Sequence, residues 1–474
     1  MISRLPKGQS WIVNLMKGRM QSTAVNAACE GIVTTFAMLI LTSPQSAREA
    51  ITSLNHLLTL MSAYQPNELK DQIEKTYYKY QMLFQEEKRK ALCELSGKDL
   101  TQIELDEFYH QLSRSDTENI LLKIRENIKN TFTPEDNHYL KIDAILQSIA
   151  VFFKPYDFPF LFAQKNDLTY VQDISLSAPI LVPNIKEVEQ VMSQPSCFLS
   201  KAEFAQSLNV LEDIVHKNKY NQPIIIFIRS STHTVAFGLS KMDNIFFIID
   251  AAGLPIDMFS AKRFQGKTLP SEKIAHNIYC AFGLTKDEPM IVNMDIYALT
   301  KSEAFSLALI TKTWMREPSI KSIFTLPQER AAIIDEKNDN LLMITVVNNQ
   351  IKFVTTLLAN ENFDPNRKGR KNIFPLIYAA QKNYIEIVKA LLAHSSIDPN
   401  QLYENAYNTL HASILLKNVE IAKLLIAHPA IDLSIKNQVG KTPLELARQT
   451  NQQDLIELIE NKLNTKIEMT LKSA

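Results

Sequence analysis

Cys29, His233 and Asp250 are the residues whose types and settings could do covalent chemistry. A thiol nucleophile must ionise, needs an imidazole to take its proton, and needs a third group to orient that imidazole. Cys29 lies in NAACEGIVTTFAMLI, at or just before the first turn of an apolar helix. The partial positive charge of a helix N-terminus favours thiolate there. Glu30 suits a first turn, and Gly31 leaves room beside the thiol.

His233 opens the β-like run HTVAFGL (233–239), and Asp250 closes NIFFIID (244–250), with SKMDN as the joint. An antiparallel hairpin centred between Lys241 and Met242 makes 233 and 250 direct cross-strand partners, with Cβ atoms about 4.5–5.5 Å apart. Asp250 could then accept from one imidazole nitrogen and leave the other facing Cys29. A slip of one residue would turn one side chain to the other face. Each residue also has a plain structural reading: a core thiol, a strand-edge histidine, a turn-forming aspartate.

Among the other thiols, Cys197 sits in QPSCFLSKAEF between a proline and a helix cap, Cys93 in a charged helix, and Cys280 at the end of a helical segment. Acyl transfer also needs an oxyanion donor. The backbone N–H of Cys29 is the natural first one, and the side chain of Gln21 or Asn26 is a candidate second.

The elements that must position these groups follow from periodicity. Gly31–Thr42 is apolar but too short to span a bilayer. Glu30 makes it a poor signal peptide, so a buried helix is expected. Residues 44–170 are mostly helical in pattern, with apolar positions three and four apart, as in SAREAITSLNHLLTLMSAY. After Pro155, β-like runs appear at APILVP (178–183), PIIIFI (223–228), 233–239, 244–250 and MIVNM (290–294), with a helix over KAEFAQSLNVLEDIVHKN. SEAFSLALITKTWM (302–315) reads as a helix that caps the C-terminal third.

Composition narrows the chemistry. The chain has 474 residues, 46% hydrophobic and 22% charged, enough for two or three domains. Its 51 basic and 51 acidic residues balance, so only local patches could attract nucleic acid or an anionic membrane. Ten glycines form no phosphate loop or dinucleotide fingerprint. Four scattered cysteines form no disulfide framework or zinc site, which points to a reducing compartment. No cofactor and no metal is expected.

A 34-residue period fills the last third. Leu342, Leu376, Leu410 and Leu444 follow it, as do Asp364, Asp398 and Asp432. Such a period means stacked units, each too small to bury its own apolar face. Segments 338–366, 372–400, 407–434 and 440–460 each resemble the ankyrin repeat. Pro375 and Pro443 stand at first helical positions, and Ala379, Ala380, Ala412 and Ala447 where helices must approach closely. Ile377 and Glu445 replace the usual histidine, which only His411 keeps, and the usual glycine after the second helix is absent. His394, His411 and His428 are expected to cap helices or turns. The resemblance implies protein binding through exposed turns, where Arg367, Arg370, Tyr403 and Tyr407 are available anchors. It also implies Asn366 and Asn400 as possible hydroxylation sites.

Residues about 20–40 and 195–255 resemble the papain-fold cysteine proteases of bacterial effectors, the YopT-like group. The resemblance rests on Cys29-Glu30-Gly31-Ile32, a strand beginning at His233 and a strand ending at Asp250. Joined to ankyrin repeats, it resembles type IV secreted effectors of Legionella. The implied fold is an α+β papain-like cysteine protease domain with a helical insertion, then an all-α ankyrin solenoid. The domains are 1–295, with 44–170 mostly insertion; a helical linker or cap at 296–335; about four repeats over 336–465; and a tail at 466–474 compatible with a secretion signal. The implied function is a thiol hydrolase that the repeats bring to a host protein, in the host cytosol or nucleus. A non-enzymatic adaptor with a degenerate protease-like scaffold, and an acyltransferase or transglutaminase using the same trio, are the alternatives. Direct binding of nucleic acid and a transmembrane segment are not expected.

Overall fold

The computed structural model describes residues 28–41 and most of 46–145, 189–260 and 270–473. The chain forms two compact units. The first carries helices α1 (Ala28–Leu41), α2 (Ala47–Ser62), α3 (Pro66–Ser96) and α4 (Gln102–Gln111), together with the segment Ala251–Ile256. The apolar residues of α1 recur at helical spacing, and Ile32, Val33, Phe36, Ala37 and Ile40 are all buried. Ser46 starts α2 with a capping box: its hydroxyl accepts the Glu49 N–H and the Glu49 carboxylate accepts the Ser46 N–H. Within this unit the buried Asn55 amide donates to the Ile256 carbonyl at 2.9 Å and accepts its N–H at 2.8 Å. No described helix is long and apolar enough to cross a membrane.

The second unit holds a six-stranded sheet and the repeats. Its strands are β1 (Glu189–Phe198), β2 (Ile224–Arg229), β3 (Thr234–Ser240), β4 (Ile245–Asp250), β5 (Asp257–Ser260) and β6 (Met290–Ala298). They lie in the order β1-β6-β2-β3-β4-β5, with every neighbouring pair antiparallel. Alternate residues, among them Ile226, Ile228, Val235, Phe237, Phe246 and Ile296, pack in one core with helices α5 (Lys201–Lys217), α6 (Pro270–Ala281) and α7 (Lys301–Arg316). Residues on the opposite face, such as Ile225, Phe227, Phe247 and Ile249, are buried as well. That is why these strands read as unbroken apolar runs. Gly238 pairs with Phe247, whose ring lies where a side chain at 238 would stand.

Four strands fall where apolar runs predict them, and two do not. β1 carries Gln190, Ser193, Gln194 and Pro195. A proline is tolerated because β1 is an edge strand. β5 has four residues and a weak pattern. The run at 178–183 lies outside the described residues.

The segment 302–315, expected to cap the repeats, forms α7 within the helical layer of the sheet. Trp314 Nε1 donates to the Ser207 carbonyl at 2.8 Å there. Helices α8 (Lys321–Thr325) and α9 (Gln328–Ala331) follow. Then come four helix pairs: α10/α11 (Leu341–Val347, Ile351–Leu358), α12/α13 (Pro375–Gln381, Ile385–Leu392), α14/α15 (Thr409–Leu415, Val419–Ala427) and α16/α17 (Pro443–Gln449, Gln453–Ser473). The hydrophilic tail thus continues α17 as helix.

The sheet covers the first repeat. Cys197 of β1 and Ile291 of β6 belong to the same core as Leu341, Leu342 and the later repeats. Gln350 Nε2 donates to Ser193 Oγ at 2.6 Å and Asn293 Oδ1 at 2.8 Å. The equivalent residues two and three repeats on, Asn418 and Gln452, donate to Ala380 and Ile414 carbonyls of the preceding repeat at 2.7 and 2.8 Å. At the first repeat the sheet therefore takes the place of a preceding repeat.

Candidate functional site

His233 lies between β2 and β3, in a tight connection. Its N–H donates to Ser230 Oγ at 3.0 Å, and the Ser230 N–H donates to its carbonyl at 2.9 Å. Asp250 is the last residue of β4. His233 Nε2 stands 3.1 Å from Asp250 Oδ1, and both side chains are mostly buried. The Phe282 ring meets the imidazole edge-on at 5.7 Å.

The register differs from the sequence expectation. Asp250 pairs with Val235, and the ladder ends at Ser240–Ile245. The loop is the four residues 241–244, closed by Asn244 in the left-handed region at φ 53° and by Ser240 Oγ donating to Asp243 Oδ2 at 2.7 Å. That loop moves the hairpin centre to between Met242 and Asp243. The pairing partner of Asp250 therefore moves by two residues, which restores the same face, so the two side chains meet as diagonal neighbours.

An Nε2–H donated to the carboxylate fixes the imidazole tautomer that keeps a lone pair on Nδ1. An imidazole held in this way is chemically able to accept a proton. Cys29 is the second residue of α1, in its first turn, and its side chain lies outside the described residues. Gln21 and Asn26 lie outside them too. Of the described thiols, Cys197 is buried in the sheet, Cys93 is half-buried with its Sγ 3.8 Å from Asp99 Oδ1, and Cys280 is exposed with its Sγ 3.6 Å from His276 Nε2. Among the described residues, no cluster of His, Cys, Asp and Glu could hold a metal.

In the repeats, residues at equal positions do equal work. Asp364 and Asp398 accept the N–H two residues on, from Asn366 and Asn400, and Asp432 accepts that of Ser434, each at 2.9 Å. Asn366 donates to the Ser396 carbonyl at 2.6 Å and accepts the Asp398 N–H at 2.8 Å. Asn400 does the same with Ala430 and Asp432, at 2.8 Å each. The structure thus gives both amides a bridging role between successive turns. His394 and His428 accept the N–H of Ser396 and Ala430 through Nδ1. His411 Nδ1 accepts the Asn408 N–H while Nε2 lies 3.2 Å from the Lys441 carbonyl, and burial pushes its pKa down.

Of the expected anchors, Arg367 is exposed, and Arg370 lies outside the described residues. Tyr403 and Tyr407 are half-buried; the Tyr403 N–H donates to the Tyr407 carbonyl at 2.8 Å, and the Tyr407 ring packs on His411. The two tyrosines are tied to each other and to His411, while Arg367 presents a charge to solvent.

Sequence reasoning passed over a polar group on the sheet face toward the first repeat. Arg229 forms a buried ion pair with Asp295. Asp295 also accepts from Asn293 Nδ2 at 2.9 Å and Gln190 Nε2 at 3.2 Å. A cavity of about 400 Å³ is lined by Gln190, Ser193, Arg229, Asp295, Tyr297 and residues 348–353. The signal was the polar alternation of Asn293, Asp295 and Tyr297 within an apolar strand.

Comparison with known proteins supports the repeat arm. A family model described as ankyrin repeats (3 copies) matches residues 318–403 and 376–470. A search of curated proteins gives no match.

Proposed function

We propose that this chain is a thiol hydrolase of the papain-like kind whose ankyrin repeats hold a protein partner. The repeats are ankyrin repeats, and such stacks typically bind proteins. The observation that carries the enzymatic half is the oriented imidazole, His233 Nε2 on Asp250 at 3.1 Å. In this reading Cys29, at a helix N-terminus, attacks an acyl carbon. His233 Nδ1 takes the thiol proton and returns it to the leaving group, and Asp250 holds the ring. The Cys29 N–H, with Gln21 or Asn26, receives the oxyanion. The resemblance to type IV secreted effectors extends the reading to action inside a host cell, with a host protein on the repeats.

The test is labelling with an acyl electrophile that reacts with activated thiols, on the full chain and on Cys29→Ala and His233→Ala. Rapid labelling of the unaltered protein and loss in both variants is the expected result. Equal labelling of all three would remove the enzymatic half. A second reading, an adaptor without catalysis, is favoured by the family match lying in the repeats and not in the sheet. It predicts equal labelling together with partner capture that the variants keep.

A further inference from the structure

Helix α7 has two faces of different kinds. Ala304, Leu307, Ile310, Thr311 and Trp314 are buried against the sheet unit. On the opposite face Lys301, Phe305, Leu309, Lys312 and Arg316 follow one another at steps of four, four, three and four residues, so they form one ridge. All five are exposed. Phe305 is 77% exposed and Leu309 54%. Phe305 is the most exposed of the large apolar side chains described.

Two large apolar groups standing in water beside cations call for an occupant. The charge on the ridge is one-sided. Glu303, the acidic residue within the helix, lies off it, and its carboxylate turns back to accept the Leu299 N–H at 3.0 Å. The ridge is also convex, since a ring 77% exposed stands clear of its neighbours. A protein partner would need a groove cut to receive it. A lipid headgroup layer deforms around such a ridge, takes the phenylalanine and leucine between its headgroups, and supplies anionic charge to the lysine and arginine heads.

We infer that α7 docks this protein on an anionic phospholipid surface, with Phe305 and Leu309 inserted and Lys312 and Arg316 paired with lipid phosphates and carboxylates. This is peripheral, reversible attachment, independent of the Cys29 chemistry. Zero net charge overall does not oppose it, because the attraction acts within a Debye length of the ridge.

The experiment is co-sedimentation of the full chain with vesicles of phosphatidylcholine alone, and with about one-third phosphatidylserine added. Partitioning onto the mixed vesicles should exceed that onto the neutral ones by at least about tenfold at low salt. Phe305→Ser/Leu309→Ser and Lys312→Ala/Arg316→Ala should each lose about tenfold. Phe305→Trp should report insertion directly, its fluorescence quenched by brominated lipid. All these positions are exposed, so thermal unfolding should stay unchanged. Equal binding to the two kinds of vesicle, binding kept by both double variants, or no binding by the unaltered chain would each overturn the proposal. The last of these would leave an acidic protein surface as the occupant.

Discussion

His233 and Asp250 are joined at 3.1 Å although they are not cross-strand partners. Asp250 sits opposite Val235, and the imidazole reaches diagonally to it from the residue before β3. The contact therefore depends on the four-residue loop at 241–244, which sets the register.

Asp250→Asn keeps the shape of the carboxylate and removes its charge. The asparagine amide can present its N–H₂ to Nε2, which favours the Nδ1–H tautomer. Cys29 labelling should fall by about two to four orders of magnitude. Imidazole nitrogen shifts read by NMR should show the tautomer change at His233. An unchanged tautomer with slow labelling would place the defect elsewhere.

Asn400→Ala removes both hydrogen bonds that tie its turn to the next one. The loss should be about 1–2 kcal/mol in urea unfolding. Asn366→Ala should lose a similar amount, since its two bonds match. Oxygen added at either asparagine should act on the same contacts and shift stability more than it shifts the fold.

Lys417 has a left-handed backbone at φ 57°, at the joint between two helices of a repeat, where Asn349, Asn383 and Asn451 occupy the equivalent positions. A lysine has no local advantage there, whereas glycine has no steric penalty. Lys417→Gly should raise stability by about 1 kcal/mol. Lys417→Asn should give part of that gain, and Lys417→Val should lose stability.

Buried His411 has a lowered pKa, because burial disfavours the charged ring. A second proton would also set an Nδ1–H against the Asn408 N–H. The unfolded chain then binds that proton more readily than the folded one. Its contribution is complete above the unfolded value, about 6.5, and is lost as pH falls below it. Unfolding between neutral and mildly acidic pH should follow this slope, and His411→Gln should flatten it.

Arg330 clamps Glu203 with both terminal guanidinium nitrogens, and also donates to the Cys197 carbonyl at 2.7 Å and to Ser322 Oγ at 3.0 Å. It thereby ties the start of α5 to the segment that leads into the repeats. Arg330→Leu leaves a mostly buried carboxylate without its cation and should cost about 3 kcal/mol. Adding Glu203→Gln should recover part of the loss, which a urea double-mutant cycle would show.

Residue order alone was enough for the parts whose reasons are local. The 34-residue period is legible because equal positions make equal contacts: Asn340, Asn408 and Thr442 cap, Pro375 and Pro443 start helices, and Asp364, Asp398 and Asp432 turn the chain. The central strands are legible because they are buried on both faces. Features that depend on distant partners were settled by the assembled fold. β1 was hidden because an edge strand can hold Pro195 and polar residues that alternation rules reject. The place of α7 follows from its fit to α5, whereas its sequence offers an apolar face without saying which core receives it. Gln350 reads as one more repeat position, and only the assembled fold shows it bonded to Ser193 and Asn293 of the sheet. His233 and Asp250 stand between these cases: residue type and position at the ends of β-like runs singled them out, and a loop centred one residue later than expected brought them together by a different register.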